Sequence, residues 1–226
     1  GVSGLSSAAK YYYRIAAQNN PGTSYGSEKS FTTSDTSAPT GSISINRDAT
    51  YTKSISVTLT LSATDNAGVT GYYISNSSTK PSASASGWTS VTSTTSYSAN
   101  VSYTLSSGDS SKTMYVWYKD NSGNVSNSAS DSIILDTTAP TITITSPTSD
   151  DTYTVTSSVI AIGGSASDTT SGVSSVTWSN DKGGNGTASG TTSLLTSSIS
   201  LLSGENIITV TATDGAGNTG TDKITM

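Results

Sequence analysis

The sequence predicts an all-β protein built as a string of β-sandwich domains, on three observations. Apolar residues recur in short alternating runs such as Val57-Thr-Leu-Thr-Leu61, Ser132-Ile-Ile-Leu135 and Lys223-Ile-Thr-Met226, the period-2 pattern of half-buried strands. Turns rich in Asp, Asn and Gly interrupt these runs at short, regular intervals, as strands of a sandwich require. One phrase also occurs twice, as Asp35-Thr-Ser-Ala-Pro-Thr40 and Asp136-Thr-Thr-Ala-Pro-Thr141. The spacing of about 100 residues is the size of one sandwich domain.

Composition supports each point. Of 226 residues, 32% are hydrophobic and 11% charged. Ser and Thr make up roughly two in five; small hydroxylated side chains suit the exposed face of a strand, where Thr is favoured. A net charge of −5 is too small, and the apolar alternation too regular, for a disordered polar chain. There is no cysteine, which excludes disulfides and thiolate metal sites. No apolar run approaches the ~20 residues of a membrane helix. The acidic balance argues against nucleic acid, whose phosphates need a basic face, and favours cations. No signal peptide is visible, so residue 1 is expected to be an internal point of a longer secreted chain with its targeting signal elsewhere.

The repeated phrase sets the expected boundaries. Ala-Pro disfavours helix and fixes an extended connection, making 35–40 a linker between an incomplete unit at 1–34 and domains at 41–136 and 137–226. Inside each domain the signals recur in the same order. A strand leads into an acidic turn, Asp65-Asn-Ala-Gly-Val69 or Asp168-Thr-Thr-Ser-Gly-Val173. A later strand ends in a second, Asp120-Asn-Ser-Gly-Asn124 or Asp214-Gly-Ala-Gly-Asn218.

Two resemblances follow from these residues. Gly4-Leu5, Tyr11-Tyr-Tyr-Arg-Ile-Ala-Ala-Gln-Asn19 and Gly26-Ser-Glu-Lys-Ser-Phe-Thr-Thr33 resemble the final third of a fibronectin type III domain, with Tyr11 as its corner tyrosine. Residues 40–226 resemble bacterial immunoglobulin-like repeats, through the Asp-Thr-x-Ala-Pro linkers and the Thr213-Asp-Gly-Ala-Gly-Asn218 turn. The resemblance implies immunoglobulin-like sandwiches in a secreted or surface protein. Fold says little about function here, since such modules serve adhesins, stalks and enzyme appendages alike. In the first segment it implies that the alternating face of Tyr11, Tyr13, Ile15 and Ala17 is buried. The opening strands of that sandwich would then come from chain upstream of Gly1, or from a neighbouring subunit adding strands to an open edge.

Catalysis is not expected. Histidine and cysteine are absent, which removes the usual nucleophilic pairs and the commonest zinc and iron ligands. The two glutamates, Glu28 and Glu205, lie in turns of separate domains. Asp150 and Asp151 are neighbours, and neighbours on a strand point to opposite faces. Gly183-Gly-Asn-Gly186 lacks the setting of a phosphate loop and reads as a hairpin turn.

Two candidate sites remain. In an immunoglobulin-like sandwich the loops after the second and sixth strands lie at the end where the chain enters. That would gather Asp35, Asp65 and Asp120, and likewise Asp136, Asp168 and Asp214. Three carboxylates amid amide, hydroxyl and main-chain oxygens suit calcium, which takes 6–8 oxygens; the same residues are also good turn formers. The second candidate is aromatic. Alternation puts Met114, Val116 and Tyr118 inward and leaves Tyr115 and Trp117, joined by Tyr73, as an outward row. Such a row either stacks on surface polysaccharide or a partner or is covered by the loop bearing Trp88. The Asn-x-Ser/Thr triplets at Asn76, Asn100, Asn124 and Asn185 arise by chance in so hydroxyl-rich a chain. The expected role is a non-catalytic stalk, spacer, adhesin or filament unit. The alternatives are a carbohydrate- or partner-binding module of a large extracellular hydrolase or adhesin, and an appendage of an enzyme whose catalytic domain lies elsewhere.

Overall fold

The computed structural model describes residues 2–226, and no helix occurs among them. The chain packs into two compact units, neither contiguous in sequence. The first runs to Arg47 and continues with Thr58–Ser102 and Thr113–Asp131; the second comprises Asp48–Val57, Tyr103–Lys112 and Ser132–Met226.

The first unit opens with four short strands, β1 (Lys10–Tyr13), β2 (Ala16–Asn19), β3 (Gly22–Tyr25) and β4 (Lys29–Thr32). They form two antiparallel pairs, β1 with β4 and β2 with β3. Tyr11 stacks on Phe31 at 5.8 Å between ring centres. Its hydroxyl accepts the Ser6 N–H at 2.7 Å, a tyrosine tied to backbone a few residues upstream as at a sandwich corner. The expected buried face does not form among the described residues. Ile15 is 75% exposed, and Tyr13 and Ala17 are also open. The cause is thickness: a two-stranded pair of four-residue strands brings no second layer to cover its apolar side.

The next segment forms β5 (Thr40–Ile45), β6 (Tyr51–Thr52), β7 (Ser56–Ser75), β8 (Thr89–Thr104), β9 (Ser110–Asp120) and β10 (Ala129–Leu135). The long strand β7 pairs with β5 along Leu59–Thr64 and with β9 along Val69–Ser75. Alternation does its work on the first stretch, where Leu59, Leu61 and Ala63 are buried and their neighbours are not. Tyr118 of β9 is buried and donates its hydroxyl to the Ser42 carbonyl at 2.6 Å; burial pushes its phenol pKa up.

The second unit contains the sandwich that is legible strand by strand. Its elements are β11 (Thr141–Ser146), β12 (Val159–Ile160), β13 (Gly163–Ser167), β14 (Val173–Asn180), β15 (Asn185–Thr187), β16 (Ser193–Leu195), β17 (Ile199–Ser200), β18 (Ile207–Asp214) and β19 (Thr219–Thr225). One sheet runs β11-β13-β16 and the other β15-β14-β18-β19, with β12 paired to β17. Ile144, Ala166 and Leu194 from the first sheet share one buried cluster with Val176, Trp178, Ile208, Val210, Ala212 and Ile224 from the second. Every second residue of β18 is buried, as a strand half-covered on one face must show. The predicted all-β sandwich fold is the observed one.

Gly41 sets a close approach in the first unit. A Cβ there would run into the Tyr118 ring and the Ser62 carbonyl oxygen. Gly41→Ala is expected to cost about 1–3 kcal/mol, the range for overpacking a filled interior, measured as a lowered midpoint in urea unfolding; an unchanged midpoint would show that the ring moves aside freely.

Candidate metal centres

Each unit holds one cluster of three carboxylates. One oxygen from each of Asp35, Asp65 and Asp120 lies within 4.8 Å of the others, and the same holds for Asp136, Asp168 and Asp214. All six are buried except Asp168, which is half-buried. The six aspartates singled out from the sequence are thus brought together in two threes.

The loops achieve this with main-chain donors. Asp65 Oδ1 accepts the N–H groups of Ala67 and Gly68, both at 2.8 Å. Asp168 Oδ1 accepts those of Thr170, Ser171 and Gly172 at 2.9–3.1 Å. Gly68 and Gly172 take positive φ values of 106° and 72°, which glycine allows without strain. Just after each turn the pairing register shifts, between Val69 and Gly71 against β9 and between Val173 and Ser175 against β18. Bulges bend a strand locally and re-aim what precedes them. Thr70 and Ser174, the displaced residues, donate their hydroxyls to Lys119 and Thr213 carbonyls opposite.

The third carboxylate of each set is fixed by an asparagine that sequence reasoning missed. Asn124 donates its N–H to Asp120 Oδ1 at 2.8 Å and its side-chain amide to Asp120 Oδ2 at 2.7 Å and to the Asp35 carbonyl at 3.2 Å. Asn218 does the same to Asp214, at 2.8 and 2.8 Å, and to the Asp136 carbonyl at 2.9 Å. The signal was present as an Asn four residues after each Asp, in two turns that otherwise differ. One amide therefore joins the linker to the turn in each repeat.

The linker carboxylates are held differently. Asp35 Oδ1 accepts from Ser7 Oγ at 2.8 Å, Ser37 N at 3.1 Å and Asn66 Nδ2 at 3.2 Å. The Ser7 hydroxyl above all, then the Ser37 amide, hold its pKa down at about 2 against the opposing effect of burial. Its other oxygen, Oδ2, and Oδ2 of Asp65 are buried with no donor. An ionised carboxylate oxygen left so in a low-dielectric setting is costly, and a divalent cation removes the cost. Calcium fits the donor set, which is all oxygen and flexible in geometry. In the second set, Ser171 donates its hydroxyl to Asp136 Oδ2 and the Thr138 N–H goes to Oδ1.

The linker after Asp136 is also gripped from behind. Asp109 accepts Thr138 Oγ1 at 2.6 Å, and Thr137 N and Oγ1 both at 2.9 Å. These bonds, the Thr138 hydroxyl first, lower the Asp109 pKa. Lys53 Nζ donates to the Gly217 carbonyl at 2.9 Å, in the turn that carries Asp214.

The aromatic row is corrected. Trp117 is fully buried rather than outward-facing, and Tyr73 and Tyr115 are half-buried. Tyr115 stacks on Trp117 at 6.1 Å, Tyr73 meets it edge-on at 6.2 Å, and Trp88 packs on Tyr73 at 5.7 Å. Lys119 then lies over the Trp88 ring at 4.8 Å. The segment between β7 and β8 has folded over this side of β9, so both faces of the strand are covered. Alternation identifies the two faces but not what lies on them.

Two outcomes test these placements. Trp117→Ala is expected to destabilise the protein by about 3–5 kcal/mol, as removal of a buried large aromatic does; near-native stability in chemical denaturation would return Trp117 to the surface. Asp109→Ala is expected to speed amide exchange at Thr137. Because the folded pKa of Asp109 is depressed, its contribution is present above the ordinary carboxylate value and lost as pH falls through the lowered one. Protection at Thr137 that is flat across acid pH would remove this role.

Among known proteins, the family model of the bacterial Ig domain matches residues 140–225. Comparison with curated proteins gives no match. Solved structures with similar chains include the fibronectin(III)-like modules of Clostridium thermocellum CbhA, at 15% identity over 81% of this chain and 92% of that one, with a TM-score of 0.44. The chicken CNTN1 FN1–FN3 domains are 15% identical over 98% of this chain and 79% of that one, with a TM-score of 0.40. A tetra-tandem repeat from the extending region of a large adhesion protein is 19% identical over 96% of this chain and 56% of that one, with a TM-score of 0.30. The family match and the sandwich of β11–β19 occupy the same residues, so this segment is similar to the bacterial Ig domain.

Proposed function

We propose that this chain is a non-catalytic structural module of a secreted or surface-anchored protein: a spacer of tandem sandwiches whose linkers are stiffened by calcium. The observation that carries this reading is where the linkers lie. Each linker aspartate, Asp35 or Asp136, converges with two loop aspartates inside one compact unit, so that neither linker falls at a boundary between units. A connection built into packed structure transmits orientation, whereas a free Ser/Thr-rich linker would behave as a flexible coil.

The location suits the chemistry. Extracellular calcium modules work with dissociation constants of about 10⁻⁴–10⁻³ M, a regime in which three carboxylates in a partly open cluster suffice. The aromatic side of β9, the candidate face for polysaccharide, is occupied by the chain's own Trp88 segment, which favours the spacer over the binding module.

Calcium at a hundredfold excess over its dissociation constant should stabilise the folded chain by about 2.7 kcal/mol through mass action. Thermal unfolding and small-angle scattering in calcium and in EGTA check this together. The expected result is a higher midpoint and a narrower spread of dimensions with calcium. Identical curves in both buffers would overturn the calcium-stiffened spacer.

A further inference from the structure

The two carboxylate clusters have equivalent aspartates but unequal closure, and the difference lies at the linker carboxylate: the first loop reaches Asp35 Oδ1 only, through Asn66 at 3.2 Å, whereas the second reaches Asp136 Oδ2 through Ser171. Counting back from Gly68 and Gly172, which both close the turn with an N–H on the preceding aspartate's Oδ1, the first loop has Ala67 where the second has Ser171. Ser171 Oγ donates to Asp136 Oδ2 and in turn accepts the Ala216 N–H at 3.2 Å. Its hydroxyl is a bridge from the linker carboxylate to the third turn. Ala67 has no such atom. In its cluster the linker carboxylate Asp35 and the loop carboxylate Asp65, each 92% buried since each is 8% exposed, keep an oxygen with no donor. Among the described residues no buried carboxylate oxygen of the second cluster is left that way.

Resting on the proposed calcium-stiffened linkers, we infer that the two centres are graded: the Asp35–Asp65–Asp120 centre is the calcium-dependent one, and Ser171 makes the Asp136–Asp168–Asp214 centre self-closing and weaker for calcium. A cation entering the first centre supplies what two buried oxygens lack. A cation entering the second must displace a hydroxyl hydrogen bond to an ionised oxygen, the stronger kind of hydrogen bond. Breaking it costs about a factor of ten or more in affinity.

Isothermal titration of calcium chloride into the 226-residue chain tests this, with the reciprocal variants Ala67→Ser and Ser171→Ala. Two binding steps about tenfold apart are expected, the tighter removed by Asp65→Asn and the weaker by Asp168→Asn. Ala67→Ser should weaken the tighter step about tenfold, and Ser171→Ala should tighten the weaker one. A second measurement guards against mere loss of structure. In EGTA, Ser171→Ala should lower the unfolding midpoint because Asp136 Oδ2 loses its donor, and calcium should restore it more fully than it raises the parent chain. Calcium binding with equal steps, or steps unmoved by the swap, would overturn the grading while leaving the spacer reading intact. No calcium uptake at millimolar concentration would overturn both.

Discussion

Three carboxylates converging within 4.8 Å set the terms for everything around them. Two unit charges about 4 Å apart repel by roughly 4 kcal/mol at the dielectric typical near a protein surface. One hydrogen bond to a charged group returns about 1.5–3 kcal/mol. The loop amides around Asp65 and Asp168, and the asparagines on Asp120 and Asp214, are therefore comparable in size to the repulsion they oppose. They hold the carboxylates together with little surplus. A divalent cation bound there would change that balance from marginal to favourable, because it would replace repulsion with attraction at every oxygen it met. Clustering of this kind is affordable in a loop that needs rigidity and would be wasteful in one that does not.

Topology brings the three loops to one place, and the backbone then has to aim them. The bulges after Val69 and Val173 fall at equivalent positions in two repeats whose turns differ in length by one residue. That coincidence marks the bulge as part of the centre rather than a local irregularity. The first and last strands are cross-tied in both repeats as well: Asp131 Oδ2 accepts the Ile45 N–H at 2.6 Å, and Asp222 Oδ2 accepts the Ile144 N–H at 2.7 Å. A carboxylate on the last strand thus takes over a backbone donor that lies outside the ladder.

What the sequence revealed, and what it hid, follows from the range of each interaction. The aspartate clusters were legible because the same phrases recur in two copies, and recurrence exposes long-range geometry that one copy would conceal. Ser171 was not legible, since a serine among so many serines carries no signal until its hydroxyl is seen on Asp136. Trp117 failed for another reason. Period-2 alternation assigns a side chain to a face of β9, yet whether that face is wet depends on a loop of Ser, Ala and Pro whose small side chains give no apolar signal of what they cover. The open face of Tyr13 and Ile15 inverts the case: its alternation is sound, and no second layer exists among the described residues to bury it.

A chain without cysteine has to lock its linkers by other means, and here each is held on two sides. Ahead of each linker stands its aspartate cluster. Behind the first, Ser7 Oγ accepts the Thr36 N–H at 3.0 Å while donating to Asp35; behind the second, Asp109 takes three bonds from Thr137 and Thr138. The bond that reaches the main chain just after the aspartate is neutral in the first linker, Thr36 N–H on a serine hydroxyl, and charged in the second, Thr137 N–H on a carboxylate, and charged hydrogen bonds are roughly twice as strong. The forward tie runs the same way, with donorless oxygens in the first cluster and the Ser171 bridge in the second. Both differences leave the second linker secured by the protein's own groups. The first then depends more heavily on whatever neutralises Asp35 and Asp65. A spacer built this way would soften at one joint before the other as calcium falls, so its flexibility would be set by position along the chain rather than spread evenly over it.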